Sequence, residues 1–309
     1  MAGLTGWFGG KNQHSPWIYS FIPKDIKTYC EPFSGSFPIY FNQDFSQVKN
    51  IIYNDANKLQ TNFMLCAKDY NRLADDIKNS FIDTNGFLYC DKTDLVAQKL
   101  HYRDLYTNTK DAKKCSFYDD LDFDMPNYEK AVIYSFMITS AFNACYARGA
   151  GFSGFSSGKN SKLKINTLLN KLANKEYQSK LDGLTYIQNK DFLQLMNECD
   201  RESTYFYLDP PYKYTDGKGT HNTDYGSHNT FGESGHEKLR DLLYNTKSRW
   251  SLSYYWFKEL EEWFPRDKFH WETKEFHRAS ASFSDSSSAK DKGVELLIMN
   301  YDPKTGIRL

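Results

Sequence analysis

The feature that most constrains this chain is an apolar run, Tyr205-Phe206-Tyr207-Leu208, that stops abruptly at Asp209-Pro210-Pro211-Tyr212. Two prolines cannot donate to a sheet ladder, so the strand has to end there, and the chain beyond it is held in an extended turn. In an open parallel sheet the carboxyl ends of the strands are where ligands bind. The tetrapeptide therefore presents a carboxylate, a stiff backbone carbonyl and an aromatic ring at a working edge.

The flanking pattern supplies such a sheet. A strand at 27–30 leads through a glycine-containing turn into an aromatic-rich helical stretch ending near Phe41. A second strand at 50–53 ends in Asn54-Asp55, and helical patterning follows over 58–77. Strand, turn, helix, strand, helix is the signature of a parallel, doubly wound α/β sheet. Further strands are expected at 185–188, 204–208 and 250–253, a helix at 235–244, and a closing hairpin of 269–277 with 294–301. The middle has another character. It holds charged helical stretches, an acidic cluster (Asp119, Asp120, Asp122, Asp124), a buried helix within 131–146 and a Gly/Ser-rich stretch over 148–159. Lys162, Lys164, Lys171, Lys175 and Lys180 then stand against a lone Glu176. The expected architecture is a Rossmann-like sheet with helices on both faces, formed by 1–70 and 181–309 and interrupted by a mostly helical insert at 71–180.

The chain has 309 residues, and its aromatic fraction of 17% supplies a core with ring surface to spare for stacking. Lys+Arg and Asp+Glu are both 39. Zero net charge counts against a nucleic-acid binder, but phosphates are held by a local basic stripe and not by the sum over a chain. The six cysteines are scattered without a C-x-x-C pair, which predicts free thiols and no zinc site. The N-terminus carries no signal-peptide pattern, and the most apolar stretch is too short and too interrupted to span a bilayer. A soluble, cytoplasmic protein is expected.

Asp-Pro-Pro-Tyr suits one chemical problem. An aromatic exocyclic amine is a poor nucleophile because its lone pair is delocalised into the ring. Two acceptors, the Asp209 carboxylate and the Pro210 carbonyl, hydrogen-bond both N–H groups and favour a more tetrahedral nitrogen. Tyr212 stacks on a base that has left the helix. A plain strand-ending Pro-Pro turn fits these four residues equally well. Glu31-Pro32-Phe33-Ser34-Gly35-Ser36-Phe37 is the second constellation, a tight turn from strand to helix that suits close approach of a nucleoside. Asp55 follows at the end of the next strand, where a carboxylate accepts ribose hydroxyls.

In this order the motifs resemble adenine-specific DNA methyltransferases of the deoxyadenosine-methylase type, from end to end of the chain. Trp7-Phe8-Gly9-Gly10-Lys11 is similar to their N-terminal Trp-x-Gly-Gly-Lys, which lies against the cofactor. Glu31-Pro32-Phe33-x-Gly35 resembles their cofactor loop, and Asn54-Asp55-x-Asn57 the segment whose Asp holds the ribose. Asn189-Lys190-Asp191-Phe192 resembles the Asp-Phe beside the cofactor's adenine. Asp209 to Tyr212 matches the catalytic tetrapeptide, and Glu295-Leu296-Leu297 a family Glu-Leu-Leu on a late strand. The resemblance implies N6-adenine methylation of a flipped base with S-adenosylmethionine as cofactor. It implies double-stranded DNA as partner, no metal, and a monomer working in a bacterial or phage-infected cell. Trp7, Lys11, Glu31, Phe33, Gly35, Asp55, Asp191 and Phe192 would contact the cofactor, and Asp209, Pro210, Pro211 and Tyr212 would be catalytic. One position departs: Phe37 stands where the family has a second glycine, so its ring either narrows the cofactor pocket or repacks the turn.

The insert then fits a target-recognition domain. Phe142 and Asn143, with Arg148, resemble the family's DNA-reading stretch. Asn143 is placed to bond a base edge, Arg148 to read guanine, and Lys159, Lys162 and Lys164 to hold phosphates. A solvated basic helix beside a Gly/Ser loop is the blander account. His221 and His228 fall in a polar loop suited to close over substrate, and His236 on a helix as a packing or surface residue. Two other functions stay open here: methylation of another planar amine, whose enzymes favour Ser or Asn where Asp209 stands, and a non-catalytic DNA-binding decoy.

Overall fold

Both faces of the run at 204–208 are buried. In the computed structural model, which describes residues 1–7, 9–82, 102–104, 106–107, 120–144, 151–156, 163–213, 231–277 and 292–309, it is strand β4 (Thr204–Leu208). Alternate residues enter two different cores. Tyr205 and Tyr207 join the larger apolar cluster and Phe206 and Leu208 the smaller one, as expected of a central strand covered by helices on both sides. The tyrosine hydroxyls do not go unpaired. Tyr205 donates to Ser251 Oγ at 2.6 Å, and Tyr207 lies 2.9 Å from Ser253 Oγ on the neighbouring strand.

Among the described residues the sheet has seven strands, β1 (Thr28–Glu31), β2 (Asn50–Asn54), β3 (Tyr186–Gln188), β4, β5 (Arg249–Tyr254), β6 (His270–His277) and β7 (Lys292–Met299), in the order β3-β2-β1-β4-β5-β7-β6. β1, β2, β3, β4 and β5 run parallel, and β7 inserts antiparallel between β5 and β6. Strand order reverses between β1 and β4, the switch point where open α/β sheets bind ligands. Every strand expected from sequence is present within two residues at either end.

Two helices differ from expectation for local reasons. The single helix expected over 58–77 is two, α3 (Lys58–Ala67) and α4 (Tyr70–Ile82), numbered after α1 (Ser15–Phe21) and α2 (Pro38–Asn42). Asp69 causes the break: its carboxylate accepts the Arg72 amide at 3.2 Å and starts a new helix there. The buried helix, α5 (Tyr128–Ser140), ends earlier than its apolar run. Ala141 turns extended and pairs with Phe152, while Ser153 N–H bonds the Ser140 carbonyl at 2.6 Å. Beyond that bridge 142–144 form a short 3-10 turn.

α5 docks on α3 through paired polar groups inside an apolar contact. Asn62 Nδ2 donates to the Asn127 carbonyl, and the Asn127 amide to Asn62 Oδ1, each at 2.8 Å. Tyr134 donates to Gln60 Oε1 at 2.5 Å. α6 (Ile165–Ala173) and α7 (Lys175–Asp182) complete this side, α6 burying Ile165, Leu168 and Leu172 and α7 burying Tyr177 and Leu181. All these join the same apolar cluster as Tyr29, Tyr53 and Tyr205 of the sheet. Among the described residues, no helix is long and apolar enough to cross a membrane.

Candidate active site

Tight turns after β1 and β2 build the first wall of a cleft at the switch point. Gly35 has φ +49, and a Cβ there would sit 2.6 Å from Trp7 Nε1, so both the turn and the indole across it demand glycine. The Gly35 amide donates to Asp55 Oδ2 at 2.7 Å and the Asn57 amide to Asp55 Oδ1 at 2.8 Å. A carboxylate has acceptor capacity beyond these two bonds, and Asp55 lines the cleft. Burial raises its pKa to about 6, against the pull of the two amides.

The cleft encloses about 250 Å³. Trp7, Phe33, Asp55, Asp191, Phe192, Asp209 and Pro211 line it, joined by Pro32, Ala56, Asn57, Asn189, Lys190 and Phe231. One end is aromatic. Phe33, Phe192 and Phe231 form a triangle with centroids 5.3 to 5.5 Å apart. Asp191 starts helix α8 (Phe192–Cys199) by accepting the Leu193 amide at 2.9 Å, which fixes Phe192 at the helix's first position. Phe231, just before helix α9 (Gly232–Asn245), escaped sequence reasoning because no motif marks it. Its only signal is an aromatic residue at a helix start.

Glu31, Gly35 and Lys11, expected at the cofactor, do not line the cleft. Glu31 is buried and accepts the Tyr29 hydroxyl at 2.5 Å, and burial pushes its carboxyl well above the ordinary range. Gly35 shapes the turn from below the indole. Lys11 stands beside the catalytic tetrapeptide. Its ammonium donates to Asp209 Oδ1 at 2.8 Å, Oδ2 at 3.0 Å and the Gly9 carbonyl at 3.0 Å. Glu295 Oε1 lies 3.9 Å away. Burial disfavours the Lys11 charge, but Asp209 and Glu295 outweigh it and hold the ammonium above the usual lysine range.

Asp209 and Pro211 face the cleft, whereas Pro210 is buried and Tyr212 is turned toward β7. The Tyr212 hydroxyl donates to Glu295 Oε1 at 2.5 Å, its ring lies 4.9 Å from the Lys11 ammonium, and Tyr255 meets it edge-on at 4.6 Å. Glu295 is almost fully buried, and burial first, then Asp209, lifts its pKa to about 6 against the pull of Lys11. His236 is a packing residue. It is 2% exposed, bonded through Nδ1 to the Tyr254 hydroxyl at 2.5 Å and edge-on to Phe231.

Phe37 repacks the turn and leaves the pocket alone. Its backbone is left-handed at φ 55, where the family's glycine would sit without strain. Its ring is fully buried against Tyr40, Tyr29 and Tyr53, with centroids 5.0, 6.2 and 5.4 Å away.

Of the residues expected to touch DNA, Phe142 is 57% exposed on the 3-10 turn that also contains Asn143. Lys164 is partly buried and donates to Ser153 Oγ at 2.9 Å. Arg148, Lys159 and Lys162 lie outside the described residues, as do Phe8, His221 and His228.

Comparison with curated proteins finds no match. Residues 7–280 match the family profile described as D12 class N6 adenine-specific DNA methyltransferase, a span that holds the Trp7 segment, the Asp55 turn, the aromatic triangle and Asp209. The chain belongs to the D12 class of N6 adenine-specific DNA methyltransferases, enzymes that depend on S-adenosylmethionine.

Proposed function

We propose that the cleft holds S-adenosylmethionine with its ribose on Asp55 and its adenine among Phe33, Phe192 and Phe231, and that Asp209 receives the target amine. The donor set fits that cofactor. A purine matches the aromatic triangle, the remaining lone pairs of Asp55 match ribose hydroxyls, and Asp55, Asp191 and Asp209 give the walls the sign that a cation prefers. When bound, the cofactor supplies a methyl group on positively charged sulfur. One observation carries the reading: Asp55 and Asp209, distant in sequence, line a single cleft at the point where strand order reverses.

Asp209 and the Pro210 carbonyl accept the two N–H groups of the base amine and aim its lone pair into the cleft. The Tyr212 ring, fixed through its hydroxyl by Glu295, offers a face for the base. Alignment and preorganised charge then lower the barrier. The intact tetrapeptide and the cleft beside it favour this over a decoy. For the DNA we propose residues 71–180 as the reading region. The exposed Phe142 ring supports it, standing at the end of a helix anchored on α3. Calorimetric titration tests the cofactor pose. Phe192→Ala should weaken S-adenosylmethionine binding by about 1–3 kcal/mol, the worth of one base stack. Unchanged affinity would place the adenine elsewhere.

A further inference from the structure

Lys11 is a buried cation with three N–H donors, and all three are engaged: two on the Asp209 oxygens and one on the Gly9 carbonyl. A target amine needs one of those Asp209 oxygens, with the Pro210 carbonyl as its second acceptor. Substrate and lysine therefore compete for one carboxylate. If the amine wins and Lys11 has nowhere to go, a buried ammonium loses its charged partner, which is costly in a low-dielectric interior. The structure holds a second carboxylate nearby. Glu295 Oε1 lies 3.9 Å from Lys11 Nζ, about 1 Å beyond an ordinary charge-assisted hydrogen bond. Glu295 is 1% exposed, so water does not take its place, and the Tyr212 hydroxyl holds it at 2.5 Å.

We propose that Glu295 is a positioning residue for methyl transfer, the second seat of Lys11: when the adenine amine takes Asp209, the ammonium passes to Glu295. The step moves one side chain and breaks no covalent bond. Lys11 keeps its proton throughout, and the pocket keeps one cation between two carboxylates before and after. Tyr255, Tyr207 and Glu31 are the other ionisable groups that influence these carboxylates and the lysine. The proposal rests on the reading of Asp209 as the amine acceptor.

Glu295→Gln separates charge from shape, because the amide oxygen still accepts the Tyr212 hydroxyl. The single-turnover rate of methyl transfer, with DNA and S-adenosylmethionine prebound, should fall by about tenfold or more, the scale of coupling inside one ion-pair network. The affinities for both ligands should stay within about twofold. Lys11→Gln/Glu295→Gln should then be no slower than Glu295→Gln alone, since with the cap removed no second seat is needed. A wild-type rate in Glu295→Gln, a loss confined to binding, or losses that multiply in the double variant would each overturn the proposal. Should Glu295→Gln fail to fold, the wild-type protein decides. In a complex with S-adenosylhomocysteine and an unmethylated duplex, Lys11 should lie within hydrogen-bond distance of Glu295 and away from Asp209. An amine on Asp209 with Lys11 still beside it overturns the second seat alone. An amine bound elsewhere overturns the reading of Asp209, and the second seat with it.

Discussion

The cleft at the strand ends and the region of helices α5, α6 and α7 are both rich in ionisable side chains, and they use them in opposite ways. In the cleft, carboxylates are pinned by backbone amides with acceptor capacity left over, as at Asp55, or face a buried lysine, as at Asp209. In the helical region Lys171 and Lys180 turn inward, while Lys175 stays exposed. Lys171 donates to the carbonyls of Gly3 and Leu4 at 2.6 and 3.2 Å, and Lys180 to that of Gln43. Lys68, reaching over from α3, takes the carbonyls of Leu181, Asp182 and Leu184. Lys68 and Lys180 satisfy backbone oxygens at or just beyond helix C-termini, which have run out of helical partners, and Lys171 those of the non-helical N-terminal segment. A basic stripe counted along a chain thus measures how many cations there are, and not how many face a phosphate.

The sharpest way to break this contrast is at Asp209. If the cleft carboxylates work on ligands, Asp209→Ala should lower methyl transfer by about 10²- to 10³-fold, the scale of removing one preorganised polar group from a reacting centre. The melting temperature should fall too, because the buried Lys11 ammonium loses its charged partner, so transfer is compared at a temperature where the variant is folded. A tritiated-methyl assay beside a thermal melt reads both. Near-normal transfer by the folded variant would leave the cleft without its chemistry.

The next effect is one of stability. Phe37→Gly removes a ring that is fully buried, at about 3–5 kcal/mol for a Phe truncation, and relieves a left-handed backbone by about 1–2 kcal/mol. The net expectation is a loss of about 1–4 kcal/mol in chemical denaturation, with S-adenosylmethionine affinity unchanged. A gain in affinity would mean that the ring obstructs the pocket from a position the structure does not show.

Asp55 tests the cleft through pH. Its folded carboxyl sits near 6 where an unfolded aspartate sits at 3.8, so between those values the folded protein binds the extra proton. That term stabilises the fold at low pH and is lost as pH rises through the window. Cofactor binding has the opposite sign. Ribose hydroxyls donate to the ionised carboxylate, so affinity should rise by up to about tenfold, or about 1.4 kcal/mol, from pH 5 to 7. Asp55→Asn should flatten that rise. If the slope persists in the variant, Glu295, which also sits near 6, is the group being titrated.

The cleft was legible in sequence because its residues answer to backbone rules. A proline pair must end a strand, a turn at positive φ over an indole must be glycine, and an Asp before a helix caps it. Such demands leave a mark at a fixed position whatever the rest of the chain does. The break at Asp69 and the early end of α5 went unread for a related reason. Apolar periodicity continues through both, and the decisive contacts, the Asp69 cap and the pairing of Ala141 with Phe152, are single bonds that periodicity does not see. Phe231 and the three bonds of Lys11 were hidden because they arise only when distant segments meet. Side-chain direction on the basic helices was hidden too, since a lysine's stem reaches a carbonyl or the solvent from the same helical position.

The smallest expected effect bears on that last point. Each phosphate contact contributes about 0.9 to the slope of log affinity against log salt concentration on B-DNA. Lys164 is only partly buried, and a bond to Ser153 Oγ is easily exchanged for one to a phosphate. Lys164→Ala should therefore flatten the slope by about one unit at most, alike on all sequences. Lys171 should behave otherwise. Burial pulls its pKa down to about 8, and its ammonium is spent on the Gly3 and Leu4 carbonyls. Lys171→Met should leave the salt slope as it is and lower the melting temperature, because the N-terminal segment leading to Trp7 loses its anchor. Fluorescence-anisotropy titrations at several salt concentrations, on cognate and scrambled duplexes, measure the first effect and a thermal melt the second. If Lys171→Met flattens the slope as much as Lys164→Ala does, the inward lysines swing out to meet DNA, and the two regions differ less than their hydrogen bonds imply.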